Sequence, residues 1–147
     1  MFFIPLTPDA QKYVFTDLCQ ISSKRDIDMK ALGWIATAKA DLLAFPDAVV
    51  REFGHALFVA QIGGKHADAK PLKGFGGASI LEVVEDHDGD TYRAVYTARF
   101  AEVVYVLHAF QKKSKKGVAP PPREIDKVKA RLKRAEEEYQ VWKRRKP

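Results

Sequence analysis

The segment SILEVVEDHDGDTYRAVYTARFAEVVYVLHAF, residues 79–110, decides the fold. It holds three apolar runs rich in β-branched and aromatic residues, which are the side chains that strands favour. The turn between the first two runs contains an Asp-Gly pair at positions 88 and 89, which is typical of a tight hairpin. Both connections are too short for a crossover, so the strands should be antiparallel and pair in chain order. The predicted strands are Ser79–Glu85, Thr91–Arg99 and Val103–Phe110.

Two short helices are predicted upstream of these strands. Residues 38–45 (AKADLLAF) follow Thr37, a residue type common at N-caps, and end before Pro46. Asp47 can cap a second helix that runs to about Ile62, because apolar residues recur there at helical spacing until two glycines end the pattern. The short Pro-Asp junction joins these two helices into a helical hairpin.

The segments on either side of these elements are predicted from composition and spacing. Residues 30–36 (KALGWIA) are apolar and could form a strand, whereas residues 63–77 are rich in glycine and form a loop. Three prolines at positions 120–122 suit the first turn of a long helix over about 121–144. Apolar residues in this helix alternate at spacings of three and four, which would lay one seam along another surface.

The sequence therefore predicts an α+β fold, with an N-terminal helical hairpin, a small antiparallel β-sheet and a long C-terminal helix. With 147 residues, the chain has room for one ordinary domain, which we assign to residues 30–147. Residues 1–29 show weak periodicity and form an extension of uncertain structure, either an added arm or the product of an upstream start codon.

Charge is distributed unevenly along the chain. Residues 104–147 carry 14 Lys/Arg and 5 Asp/Glu, whereas residues 1–103 carry 11 Lys/Arg and 14 Asp/Glu. The formal net charge of the whole chain is +6. A strongly basic last third on an acidic-leaning body indicates a polyanionic partner, or an acidic protein that masks the basic part.

Several classes of protein are excluded by composition. The single cysteine, Cys19, permits no internal disulfide, and a reducing cytoplasm is the expected compartment. No apolar run approaches the roughly 20 residues that cross a bilayer, so we expect no membrane segment. The histidines at 55, 66 and 87 lack the spacing of metal-ligand motifs, and we expect them at the surface. We therefore predict no metal and no cofactor.

Two side chains of the predicted sheet could carry chemistry. Arg93 could pair at the surface with Glu82 or Glu85 on the neighbouring strand, or could clamp a phosphate with its bidentate guanidinium. His108 could act as a general acid or base near neutral pH, or could be a half-buried residue that holds the sheet together. Alternation along the last strand places on one face Val104, Val106, His108 and Phe110.

Two groups of lysines flank the strands. Lys70 and Lys73 lie in a glycine-rich loop whose backbone N–H groups could approach an anion. A denser cluster follows the last strand and comprises Lys112, Lys113, Lys115 and Lys116. Many cations and few carboxylates fit the cleavage of RNA through its own 2′-hydroxyl. That reaction needs a base for the 2′ proton, cations for the phosphorane and a proton donor for the 5′-oxygen.

Several motifs, in order and with the right gaps, resemble a known family. KPLKGFGG (70–77), YRAVY (92–96) and LHAFQKKSKK (107–116) look like the signature of the HigB-type, phage-derived toxins of the RelE/ParE superfamily. The resemblance covers about Lys30 to Tyr139. It implies a RelE-like fold and the toxin of a type II toxin–antitoxin system, an mRNA endoribonuclease that cuts on the ribosome. The implied partners are mRNA, the ribosome and an antitoxin of the Xre helix-turn-helix type.

The resemblance also implies a basic site on the sheet. Arg93 stands where the family has a strand arginine that contacts the scissile phosphate, and Lys112 or Lys113 stands for the basic residue at the end of the last strand. With His108 added on its chemistry, the candidate catalytic residues are Arg93, Lys112, Lys113 and His108. The candidate RNA phosphate-binding residues are Lys70, Lys73, Lys115 and Lys116.

One departure from this resemblance leaves the chemistry open. Glu82 and Glu85 occupy the first predicted strand, where the best-known ribosome-dependent relatives carry lysines. The identity of the general base is therefore undecided. Two other functions stay in view: a protein of this fold that binds RNA or an antitoxin without cleavage, and a ParE-like inhibitor of DNA gyrase.

Overall fold

The computed structural model of the chain describes residues 29–76, 79–112 and 120–145. The predicted N-terminal extension lies outside these ranges except for its last residue, Met29. The described ranges contain a mixed α+β structure, as predicted. Its elements are β1 (Ala31–Trp34), α1 (Ala38–Leu43), α2 (Asp47–Gln61), β2 (Ala69–Pro71), β3 (Ile80–His87), β4 (Asp90–Thr97), β5 (Val103–Lys112) and α3 (Pro122–Arg145).

The strands form one five-stranded sheet in the order β1-β5-β4-β3-β2. The predicted antiparallel pairing of β3 with β4 and of β4 with β5 is confirmed. Asp88 (φ 49°) and Gly89 (φ 84°) form the two-residue turn between β3 and β4, and both adopt the positive φ that a type I′ hairpin turn requires. The possible strand in residues 30–36 is β1, which pairs in parallel with β5. The sheet is therefore mixed, and the prediction of an antiparallel sheet is wrong at this edge, because the pairing joins distant segments that no short connection constrains.

The prediction of a continuous loop over residues 63–77 is wrong at one point. Ala69–Pro71 forms the edge strand β2, antiparallel to β3. Three residues are too few to show strand alternation, and a proline counts against a strand in a sequence pattern. A proline is tolerated here because the backbone N–H groups on the outer side of an edge strand have no neighbouring strand to which they must donate.

The helical hairpin packs on one face of the sheet, as predicted. Buried residues of α1 and α2, including Leu42, Val50 and Phe53, join Val83 and Tyr96 from the sheet in one apolar cluster. The two predicted N-caps differ in detail. The N-cap position of α2 belongs to Pro46, not Asp47. Thr37 holds the N-cap position of α1, but its side chain makes no capping hydrogen bond to the backbone. Its hydroxyl donates to the Asp41 carboxylate instead.

The C-terminal helix α3 covers part of the opposite face of the sheet. Val128, Ala135 and Tyr139 of α3 are buried against a second apolar cluster that includes Tyr105 and Leu107 of β5. The predicted seam of this helix is therefore core. Among the described residues, no helix has the length and apolar content needed to cross a membrane.

A β-bulge in β5 changes the predicted faces of that strand. Val95 pairs with His108, but the next residue, Tyr96, pairs with Val106, so Leu107 is an extra residue on β5. As a result Val106 packs on the helical-hairpin side, whereas His108 turns to the α3 side. The prediction that Val104, Val106, His108 and Phe110 share one face is wrong, because uninterrupted alternation does not survive the bulge.

Candidate functional site

Four charged side chains from four neighbouring strands share the α3 side of the sheet. In the strand register Lys70 lies opposite Glu82, and Arg93 lies opposite Val84, which is two residues from Glu82 on β3. Lys112 lies opposite Thr91, two residues from Arg93. Residues that face each other across strands, and alternate residues along a strand, point to the same side. We call this set the charged row; it comprises Lys70, Glu82, Arg93 and Lys112.

Arg93 and Glu82 form the centre of the charged row. The Arg93 guanidinium Nη1 donates to Glu82 Oε2 at 2.7 Å, and the two side chains are only 5% and 12% exposed. The predicted pairing of Arg93 with a glutamate of the neighbouring strand is confirmed, but its surface position is wrong. Burial lowers the local dielectric, so this ion pair is a stronger electrostatic element than an exposed pair would be.

The two lysines lie on either side of this ion pair. Partial burial and the charge of Arg93 lower the pKa of Lys112, while Glu82 acts in the opposite direction. Lys112 therefore lies within electrostatic reach of both members of the pair. Lys70, on the edge strand β2, is exposed and directly opposite Glu82. The row thus places three cations on the same side of the sheet as Glu82. Asp86, which is opposite Thr91 and accepts a hydrogen bond from its hydroxyl at 2.9 Å, adds a second carboxylate near Lys112.

Four of the other predicted site lysines are Lys113, a candidate catalytic residue, and the candidate phosphate-binding residues Lys73, Lys115 and Lys116. Lys73 is exposed in the turn that follows β2, next to Gly74 with its positive φ of 93°. Lys113, Lys115 and Lys116 lie outside the described residues. The structure therefore brings together Lys70, Arg93 and Lys112 from the predicted set, and their roles in RNA binding or cleavage stay predictions.

His108 lies in a different environment, under the first turns of α3. Its Nε2 contacts the Glu124 carboxylate, and its Nδ1 accepts a hydrogen bond from Arg131 at 3.0 Å. Arg131 also donates to the carbonyl oxygen of Leu107 at 3.1 Å, at the bulge. The ring stacks on Phe110, with centroids 4.9 Å apart. We call His108, Glu124 and Arg131 the helix anchor, because they join β5 to α3.

The protonation of the helix anchor follows from these contacts. Because Arg131 donates to Nδ1, the proton of the neutral imidazole is on Nε2, facing Glu124. Burial lowers the pKa of His108, and the charge of Arg131 adds to this effect against the hydrogen bond with Glu124. Burial acts to raise the pKa of Glu124, but His108, Lys127 and Arg123 together hold it below its usual value. With both ring nitrogens engaged, the geometry favours a structural role for His108, and its catalytic role stays a prediction.

Glu82 is a member of the charged row that the sequence argument did not select as a site residue. Its signal was present, because Glu82 and Arg93 fall on one side of the sheet once the two-residue turn fixes the hairpin register. Glu85 lies on the opposite side, paired with Tyr92 of the hairpin-side core. Burial raises the pKa of Glu85, and nearby Glu52, Asp68 and Asp86 raise it further against the influence of His66.

Comparisons with known proteins give one family. A family model described as "Phage derived protein Gp49-like (DUF891)" matches residues 40–133. The matched range begins within α1, contains the whole charged row and ends within α3. Neither the curated proteins nor the solved structures gave a match to the chain. The resemblance noted in the sequence is thus confirmed at the level of a phage-derived family.

Proposed function

The chain belongs to the Gp49-like family of phage-derived proteins, and from this premise we propose that it is the toxin of a type II toxin–antitoxin system that cleaves mRNA. We place the family with the RelE and HigB toxins and its fold with the RelE-like fold. The helical hairpin, the antiparallel strands β2 to β5 and the basic strand end support this assignment. The proposed partners are mRNA, the translating ribosome and an Xre-type antitoxin, and the proposed compartment is the cytoplasm.

The charged row is the observation that carries the proposal. Cleavage through the 2′-hydroxyl forms a bond between the 2′-oxygen and phosphorus and breaks the bond from phosphorus to the 5′-oxygen. Glu82 is the carboxylate in the row that can accept the 2′ proton. Arg93 offers a fork of donors to the phosphorane oxygens, and Lys112, with its lowered pKa, can give a proton to the 5′-oxygen.

This assignment gives each proton a donor and an acceptor among the side chains of the row. The products are a 2′,3′-cyclic phosphate and a free 5′-hydroxyl, with the proton that Glu82 gains balanced by the one that Lys112 loses. The proposed reaction therefore needs no redox partner and no cofactor. DNA lacks the attacking 2′-hydroxyl, so the same site would spare DNA.

One feature of the row favours a second function. Glu82 already occupies Arg93 through a buried hydrogen bond, and a carboxylate at that position competes with a phosphate for the guanidinium. A protein with such a pair could bind RNA or an antitoxin through the outer lysines without cutting. A ParE-like gyrase inhibitor, in turn, would leave mRNA intact.

The substitution Glu82→Gln separates cleavage from simple binding. If Glu82 accepts the 2′ proton, cleavage of RNA falls by about 10²–10⁴-fold while RNA affinity stays level or rises. If Glu82 only neutralises Arg93, the variant binds RNA more tightly and any cleavage rises with occupancy. Glu85→Gln is the matched control, since it lies on the same strand and on the other side of the sheet. Rates per folded molecule and RNA affinities of the three proteins decide between the two functions.

A further inference from the structure

A second cluster of polar side chains lies on the helical-hairpin side of the molecule, away from the charged row. Glu52 and His55 are three residues apart on α2, so they share one helix face. His66 comes from the loop between α2 and β2. The ligand atoms of these three residues lie within 4.8 Å of one another. Their grouping is a product of the fold, because His66 is eleven residues from His55 in the chain.

The internal geometry of the cluster is close to that of a metal centre. His66 Nε2 lies 4.0 Å from Glu52 Oε2, and the rings of His55 and His66 meet edge to face with centroids 5.0 Å apart. Tetrahedral zinc with bonds of about 2.0–2.1 Å holds its donors about 3.4 Å apart. Glu52 and His55 are exposed side chains on a rigid helix, so small rotations of their side chains close this difference.

We propose that Glu52, His55 and His66 bind a divalent transition-metal ion of the zinc type. Two imidazoles and one carboxylate are a donor set that suits zinc, and water from the exposed side would complete four-coordination. The ion would also neutralise part of the negative charge that Glu52 shares with its neighbours. The proposal departs from the sequence-based expectation of no metal, which rested on ligand spacing along the chain.

Asp68 contacts the ring nitrogen of His66 that is not the one near Glu52. The Nδ1 atom of His66 accepts a hydrogen bond from the Asp68 backbone N–H at 3.1 Å, and Asp68 Oδ2 lies 4.0 Å from the same nitrogen. Metal binding at Nε2 moves the proton of the neutral ring to Nδ1. That change breaks the hydrogen bond from the Asp68 backbone N–H. The Asp68 carboxylate, 4.0 Å from Nδ1, would then have to move closer to accept the new proton, an arrangement that orients many histidine ligands.

The position of the site predicts what the metal would do. Two ligands belong to α2, and His66 accepts a hydrogen bond at its carbonyl from Ala69, the first residue of β2. A bound ion would therefore fasten the start of the edge strand to α2. The expected consequence is greater thermal stability, and the proposal is independent of whether the charged row cleaves RNA.

The test is a titration of metal-free, full-length protein with Zn²⁺ against a chromophoric competitor. We expect one site whose affinity falls at least about tenfold in Glu52→Gln, in His55→Ala and in His66→Ala. His87→Ala is the matched control, because His87 lies 3.4 Å from the Asp88 carboxylate but outside the cluster, and it should leave the affinity unchanged. The same titration of Cys19→Ser establishes whether the single thiol contributes.

Thermal unfolding gives a second, independent measurement. Saturating Zn²⁺ should raise the Tm of the wild type and of His87→Ala by about 5 °C or more, and should leave His66→Ala unmoved. Equal Tm values for all variants in chelator would show that they fold alike, and Glu52→Gln, whose side chain is 47% exposed, carries the test if His66→Ala does not fold. No Zn²⁺ binding by the wild type, or binding that persists in His55→Ala and His66→Ala or depends on Cys19 alone, would overturn the proposal.

Discussion

Two buried acid–base pairs lie on the same side of the sheet, and they are built differently. In the helix anchor, Glu124 and Arg131 come from α3 and reach across to His108 on β5. In the charged row, Glu82 and Arg93 come from adjacent strands, and lysines on β2 and β5 extend the row. The helix anchor is covered by α3, whereas the charged row continues to the exposed Lys70 on the edge strand β2. Similar chemistry therefore joins a helix to the sheet at one place and joins neighbouring strands at the other, where we propose that it acts on RNA.

The two basic groups, His108 and Arg93, differ in which structural elements supply their partners. His108 has one ring nitrogen facing Glu124 and the other facing Arg131, so a substrate would have to displace α3 to reach it. Arg93 donates from Nη1 to Glu82 on the adjacent strand, so this partner belongs to the sheet and not to α3. This contrast predicts that substitutions in the row change activity most and that substitutions in the anchor change stability most.

The largest expected effect belongs to Arg93→Ala. Loss of the guanidinium should lower RNA cleavage by at least about 10²–10³-fold, the size seen when one donor to a developing charge is removed. It should also cost about 3–5 kcal/mol in free energy of unfolding, because Glu82 is left as a buried, uncompensated charge. Denaturant unfolding and cleavage of a defined RNA measure the two effects separately.

A double variant distinguishes lost chemistry from lost stability. Replacing both members with apolar residues of similar size, Arg93→Met with Glu82→Leu, removes the uncompensated charge and should recover most of the stability. Activity should remain absent. Recovery of cleavage together with stability would show that the pair serves the fold and that the chemistry lies elsewhere.

The next effect concerns the helix anchor. His108→Ala should lower the free energy of unfolding by about 2–4 kcal/mol, because it opens a cavity and leaves Glu124 and Arg131 without their shared partner. Cleavage per folded molecule should remain near that of the wild type. His87→Ala, at a partly exposed histidine, is the stability control. A large loss of cleavage with stability preserved would instead assign His108 to catalysis.

Acidification should weaken the helix anchor. The pKa of His108 is lowered in the folded protein from its ordinary 6.5, chiefly by burial, so the unfolded chain binds the proton first. The free energy of unfolding is therefore expected to fall as the pH drops below about 6.5 and toward the lower pKa of the folded state. The groups that face the ring are Glu124, Arg131 and Lys127. Denaturant titrations at several pH values should show a weaker dependence in His108→Gln than in the wild type.

The smallest effect is expected at the outer end of the charged row. Lys70→Ala removes one exposed cation opposite Glu82, so RNA affinity should fall modestly and alike for all sequences. The slope of log affinity against log salt concentration should decrease by about 0.7, the value for one contact to a single-stranded phosphate. Lys65→Ala, at an exposed lysine in the loop after α2, should leave the slope unchanged. An unaltered slope in Lys70→Ala would remove this residue from the interface.

Local patterns predicted much of the fold because they are strong where the chain is regular. The helical spacing of α2, the Asp-Gly turn and the seam of α3 are all contained within short stretches of sequence. The parallel pairing of β1 with β5 joins residues about seventy positions apart, and no local pattern encodes it. The bulge at Leu107 also has no signal in the local sequence, since no glycine marks it. Arg131 of α3, far away in the sequence, donates a hydrogen bond to the Leu107 carbonyl oxygen.

In the candidate site, too, the sequence predicted what local patterns encode and missed what distant segments bring together. Arg93 and Lys112 could be placed near each other because they lie on consecutive strands of a meander, with Lys112 two residues beyond the partner of Arg93. The ion pair of Arg93 with Glu82 needed the register of β3 and β4, which the turn supplies. His66 could not be joined to Glu52 and His55 from sequence, because an irregular loop brings it back to α2. The missed grouping of His66 with α2 depends on long-range packing, which the residue types along the chain do not reveal.

The most direct test of the account is a primer-extension map of one defined mRNA incubated with the purified, antitoxin-free protein, with and without translating ribosomes. The wild type and Glu85→Gln should cut, and Arg93→Ala and Glu82→Gln should not, although Glu82→Gln is folded and still binds RNA. Cuts that keep codon register and require ribosomes would match the proposed toxin, and cuts on free RNA would keep the nuclease without the ribosome. Intact mRNA in both conditions with folded wild-type protein, or equal cutting by Glu82→Gln and the wild type, would contradict the assignment of the charged row.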